Sequence, residues 1–203
     1  MKTSSLLSLG TSICLGAVTW SSHAQVSTPG YSKFQMEAYS LEYPPTWTHR
    51  GQQSPDGTLL QIFEGPIEKK ALTYCHVTQQ ALKPELAPHT SKMTLKQRQE
   101  FFSTSSDQQL LFSLYDSLPS AQDFRLVHTN ATVLSGMPAF LADFSFRVPQ
   151  GFYYRVRSHY TFWPKGQISI WCQTNAKREE FGDDAFRRNL ANFQQFIASV
   201  KIK

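Results

Sequence analysis

The chain has 203 residues, 40% apolar, 13% aromatic and 17% charged, with a formal net charge of +5. A composition this apolar and aromatic excludes a disordered chain, and beyond the first two dozen residues no run approaches the roughly 18 apolar residues needed to cross a bilayer. So mild a charge also argues against a dedicated nucleic-acid binder, which carries a denser basic patch.

Residues 1–24 read as a cleaved secretory signal: Lys2, an apolar stretch over 6–20, then the small-x-small site Ser22-His23-Ala24 before Gln25. Gly10, Gly16, Ser21 and Ser22 dilute the run and no basic stop-transfer cluster follows, which disfavours an uncleaved anchor. Thr11-Ser12-Ile13 lacks the small residue expected before a lipidated cysteine at Cys14. Cleavage near Ala24 removes Lys2 and Cys14, leaving a net charge of +4 and two cysteines. The expected setting is periplasmic or extracellular, and in such an oxidising compartment two cysteines suggest one disulfide, Cys75–Cys172. Neither cysteine has the close C-x-x-C spacing of a redox pair or a second ligand at zinc spacing.

Residues 25–37 are expected to be a loose lead and 38–203 a single domain. Tyr39, Leu41 and Tyr43 alternate with polar residues, predicting a strand that stops at Pro44-Pro45 before Trp47. A second strand, 59–63, follows the Pro55-Asp56-Gly57 turn, and a third carries Cys75. Residues 81–91 read as a loop. Thr94 is the expected N-cap of a helix over 95–102, with Gln97 completing a capping box, and a second helix runs from Ser106 to Leu118, ended by Pro119. Strands are then predicted over 125–134, 140–147, 152–163 and 167–174, and a last helix over 183–199 aligns Phe186, Leu190, Phe193 and Ile197 on one stripe. This order defines an α+β domain with a largely antiparallel sheet of about six to seven strands.

Register sharpens the second half, because facing residues share a face of the sheet. A five-residue loop over 148–152 places Asp143 opposite Arg157 and Ser145 opposite Arg155. A three-residue loop, Pro164-Lys165-Gly166, pairs Phe162 with Ile168, Tyr160 with Ile170 and Ser158 with Cys172. Arg155, Arg157, His159, Trp163 and Trp171 then share one polar and aromatic face, the expected binding surface, since arginine and tryptophan are enriched in binding hot spots.

The run Tyr39-Ser40-Leu41-Glu42-Tyr43-Pro44-Pro45, followed by Trp47, resembles the start of PsbP-like domains. The likeness continues through the Gly136-Met137-Pro138-Ala139 turn, the long aromatic hairpin, and a last helix containing Phe193, Phe196, Ile197 and Ser199. It covers most of 38–200. This group includes the photosystem PsbP subunit, the Ran-binding Mog protein, and the DcrB-like and Eag-type bacterial proteins. The resemblance implies an α/β/α sandwich, with an antiparallel sheet covered by helices on both faces. It also implies a binding or accessory protein without a catalytic centre.

The residues themselves give no catalytic signature. There is no G-x-S-x-G elbow, no H-E-x-x-H, no P-loop and no glycine-rich dinucleotide turn. No cofactor is expected, and the scattered histidines predict no metal site. Glu179, Glu180, Asp183 and Asp184 are better explained by the positive end of the last helix than by calcium. The first functional reading is thus an exported, non-catalytic protein with a protein partner or hydrophobic segment as its target, no nucleic acid, and no integral membrane segment after cleavage. The second is a secreted hydrolase of nucleic acid or an acidic glycan, with His159 as acid/base and Arg155 and Arg157 holding the anion. Burial of His159 would count against it.

Overall fold

Alternating apolar residues set off by proline and glycine turns become strands, and a computed structural model of the chain describes residues 26–28, 30–81, 94, 96–97, 100, 120–163 and 166–203. Among these are β1 Val26–Thr28, β2 Tyr31–Gln35, β3 Tyr39–Tyr43, β4 Thr48–Gln53, β5 Leu59–Glu64 and β6 Ala71–Ala81. The second half holds β7 Gln122–Leu134, β8 Met137–Arg147, β9 Tyr153–Trp163, β10 Gly166–Ala176, the helix α1 Glu179–Ala198, and β11 Lys201–Ile202. Strands β4-β5-β6-β10-β9-β8-β7 form a seven-stranded sheet and β1-β2-β3-β11 a smaller one, with every pairing antiparallel.

The residues expected to form a loose lead contain β1 and β2 instead. Phe34 is the reason: buried on β2, it packs against Tyr39, His49 and Phe63 and ties the small sheet to the large one. Strand β4 was also not anticipated, because its sequence, Thr-His-Arg-Gly-Gln-Gln, has no apolar alternation. It is an exposed edge.

Helix α1 crosses one face of the large sheet, burying Phe186, Phe193, Phe196 and Ile197 on a single stripe. Trp47, which follows the paired prolines, packs edge-on to Phe193 and stacks on Phe196, and Phe63, Val77, Ile168 and Ile170 complete this core. Each such large apolar side chain contributes roughly 1.5–3 kcal/mol on burial. The helix starts four residues earlier than the 183 read from its apolar stripe, because its first turn docks on the sheet: the Thr174 hydroxyl donates to the Gly182 carbonyl at 2.8 Å. A Cβ at Gly182 would lie 2.8 Å from the Tyr153 ring, so only glycine allows this approach. At the other end Ser199 Oγ accepts from the Glu42 amide at 2.8 Å, fixing the helix to β3.

The opposite face of the sheet carries a second cluster, built on Phe140, Phe144, Phe146, Val156 and Phe162. The helices expected over 95–118 fall largely outside the described residues, so a covering of both faces is not shown. The capping box is observed: the Gln97 amide donates to Thr94 Oγ1 at 3.2 Å, and the Thr94 amide donates to Gln97 Oε1 at 2.8 Å. The predicted signal also lies outside the described residues. Among those described, no helix is long and apolar enough to cross a membrane.

Candidate recognition surfaces

The β8–β9 register is as expected, with Asp143 opposite Arg157 and Ser145 opposite Arg155 across a five-residue loop. The β9–β10 register is not. Gly166 pairs with Trp163, so the loop has two residues, and Ile168, Ile170 and Cys172 face Thr161, His159 and Arg157. A slip of one residue turns every side chain to the other face. Matching apolar faces misled here because both faces of these central strands are buried, so both registers pair apolar with apolar. On the other side of β10, Cys172 lies directly opposite Cys75 on β6, and the two form the expected disulfide, fully buried beneath α1.

The five residues expected to share a surface are therefore divided. Arg155, Arg157 and His159 lie on the face crossed by α1, while Trp171 is on the other face, stacked on His76 at 5.5 Å and edge-on to Phe144 at 5.4 Å. Trp163 ends β9.

On the α1 face the charges are largely engaged with one another. Arg157 grips Asp143 in a two-pronged pair, Nε donating to Oδ1 at 2.9 Å and Nη2 to Oδ2 at 2.7 Å, and this raises the guanidinium's affinity for its proton. Arg155 lies over the Phe186 ring at 5.1 Å, with Nε 3.9 Å from Asp183 and a buried Nη1 that has no hydrogen-bond partner. His159 is 6% exposed and its Nδ1 is likewise unpartnered. Burial first, and then the neighbouring Arg157 charge, push its pKa down to about 4. His159 is a buried neutral imidazole, and Asp143, the carboxylate nearest to it in register, is held by Arg157. Among the described residues the acid/base role read from the sequence finds no second free group beside His159.

The acidic residues at the start of α1 join the same network. Glu179 accepts from Arg125 and Arg147, each at 3.1 Å, and Asp183 accepts from the Tyr153 hydroxyl at 2.8 Å. Asp184 pairs with Arg188 and Glu180 with Arg178. Glu179 and Asp183 dock the helix on β7, β8 and β9, while the other two pairs stay within the helix and its first turn. Among the described residues no group of three or more His, Cys, Asp or Glu is placed to hold a metal ion.

Exposed apolar side chains gather elsewhere. Leu126, Val127 and Val133 all lie on β7, with Val127 58% and Val133 62% exposed. This strand is 13 residues long, ends the sheet, and pairs only with β8 among the described residues. Register shifts on either side of Arg125 and Leu126 break its alternation, which is how adjacent Leu126 and Val127 both reach solvent. That doublet was the sequence signal of an irregular edge.

No family model and no curated protein matches the chain in sequence. Solved structures do match in fold. The chain is similar to cyanobacterial PsbP (CyanoP) from Synechocystis sp. PCC 6803, at a TM-score of 0.58 and 13% identity over 88% of this chain and 95% of that one. It also aligns with a Pseudomonas aeruginosa protein of unknown function, at a TM-score of 0.47 and 14% identity over 84% of this chain and 95% of that one. The first of these shows that the fold is PsbP-like.

Proposed function

We propose that this is an exported, non-catalytic accessory protein of a bacterial envelope or secretome, which binds an extended segment of a protein partner along the outer edge of β7. One observation carries the reading: three of the four large apolar side chains exposed among the described residues stand on that edge strand. A long apolar edge is a hazard unless something pairs with it, and strand addition satisfies its open backbone groups while alternate side chains meet the partner. The other sheet edge, β4, carries Arg50 and glutamines instead. The buried disulfide supports the exported setting. The PsbP-like fold, seen also in a photosystem subunit, supports an accessory role.

Photo-crosslinking in the producing cell tests it. A photoreactive residue at Val133 is expected to give a discrete protein adduct, and one at Ile67, which is 76% exposed but far from β7 in sequence and sheet order, none. The doubly charged variant Val127→Lys/Val133→Lys should keep its melting temperature and abolish adducts formed from a probe at Asn130. Equal adducts from Ile67, or adducts that survive the double variant, would overturn the β7 assignment. Intact mass of the secreted protein, starting at Gln25 and two hydrogens lighter than the reduced form, tests export and oxidation together.

A further inference from the structure

Where the β5–β6 turn, the β8–β9 loop and the start of α1 converge, Lys70, Phe152, Lys177, Arg178 and Phe181 line a cleft of about 490 Å³. That volume falls among small-ligand sites, which are commonly about 300–1,000 Å³ with mostly apolar walls and a few convergent polar groups. Among the described residues the lining has three cations, two aromatic rings and no acid. One of the cations is already answered: Arg178 pairs with Glu180 and lies over the Phe181 ring at 5.2 Å, forming a wall. Lys70 and Lys177 have no ion-pair partner among the described residues. Glu68, beside the turn, is directed to Arg188.

The turn that presents Lys70 is unusual for its sequence. Lys69 and Lys70 have φ of +46° and +68°, and they close a two-residue hairpin in which Glu68 and Ala71 exchange backbone hydrogen bonds of 3.0 and 2.9 Å. A turn with both central residues in the left-handed region favours Asn-Gly, and lysine gains nothing there locally. Its place in the lining of the cleft supplies a reason that the turn does not.

We infer that this cleft binds a small organic anion with an aromatic ring. The ring packs against Phe152 and Phe181, and the anionic group lies between Lys70 and Lys177. The assignment is independent of how β7 is used.

The test uses the full secreted chain and two probes that share a ring system: 1-anilinonaphthalene-8-sulfonate, and its uncharged analogue N-phenyl-1-naphthylamine. The sulfonate is expected to bind one saturable site, with the uncharged analogue at least about tenfold weaker. Lys69→Asn/Lys70→Gly places the favoured dipeptide in the turn, so its melting temperature should equal or exceed that of the wild type while sulfonate affinity falls at least about tenfold. Lys177→Glu and Phe181→Ala should each weaken the same site, with amide shifts on titration centred on Lys70, Phe152 and Phe181. Equal binding of the two probes, unchanged sulfonate affinity in the Asn-Gly variant, or no saturable binding at all would each overturn the proposal.

Discussion

The two faces of the seven-stranded sheet reach burial by different chemistry. Beneath α1, Asp143, Ser145, His159, Thr161 and Thr174 are buried beside Ile168, Ile170 and a disulfide, and the helix is tied down by Glu179 and Asp183 as much as by its phenylalanines. On the opposite face the burial is mostly aromatic, with Phe144 contacting Phe124, Phe146 and Trp171. A polar face specifies which way the helix lies, because each charge must find its partner. An aromatic face rewards packing and tolerates sliding.

The largest effect expected from breaking this contrast comes from the disulfide. Cys75 and Cys172 are separated by 97 residues, and closing a loop of that length restricts the unfolded chain by about 4–5 kcal/mol. The double variant Cys75→Ala/Cys172→Ala should lose about that much in urea unfolding, and a loss below about 1 kcal/mol would show that the sheet does not need this cross-link.

Neighbouring residues on β8 then test the faces directly, since Asp143 points toward α1 and Phe144 away from it. Phe144→Ala should cost about 3–5 kcal/mol through the cavity it leaves. Asp143→Ala leaves Arg157 poorly solvated and unpaired. Because the Arg157 side chain keeps 18% of its exposure, the expected cost is smaller, about 2–3 kcal/mol. The double variant Asp143→Leu/Arg157→Leu should recover much of that loss, as replacing a buried pair costs less than halving it. Unfolding midpoints of the four proteins decide the matter, and a double variant as unstable as Asp143→Ala would remove the pair from the account.

A slope in pH, to which each face contributes one group, is the change expected to be smallest over any single pH unit. Burial lowers His159 on the α1 face and His76 on the other to about 4, against an ordinary value of 6.5. The unfolded chain therefore takes up protons below pH 6.5 that the folded one refuses. These groups favour folding fully above 6.5, and the advantage declines as pH falls toward 4, by up to about 1.4 kcal/mol per pH unit for each histidine. His159→Gln and His76→Gln should each flatten the stability profile between pH 6.5 and 4, and a profile unchanged by both would contradict neutral burial.

Much of the fold was legible because it rests on short-range pattern. Tyr39, Leu41 and Tyr43 alternate, the α1 stripe repeats at helical spacing, and Thr94 and Gln97 make the capping box their spacing announces. The β8–β9 register was legible because opposite charges, Asp143 and Arg157, had to meet. The β9–β10 register was not, since Phe162 and Tyr160 match Ile168 and Ile170 as well as Thr161 and His159 do when both faces are covered. The candidate recognition surface was the least legible part. Arginine and tryptophan were weighed by type, while exposure decides, and the irregular pairing of β7 that brings Leu126 and Val127 both to solvent is one that no periodicity reports.

The bond between β6 and β10 also changes what a cut does to the molecule. Every peptide bond between Cys75 and Cys172 lies inside a covalent ring, which holds β7, β8, β9 and the turns between them. A protease that severs one of those bonds opens the ring without releasing either part, so a nicked protein keeps a single mass until a reductant separates it. Damage to the middle of the sequence thereby becomes a scar and not a loss.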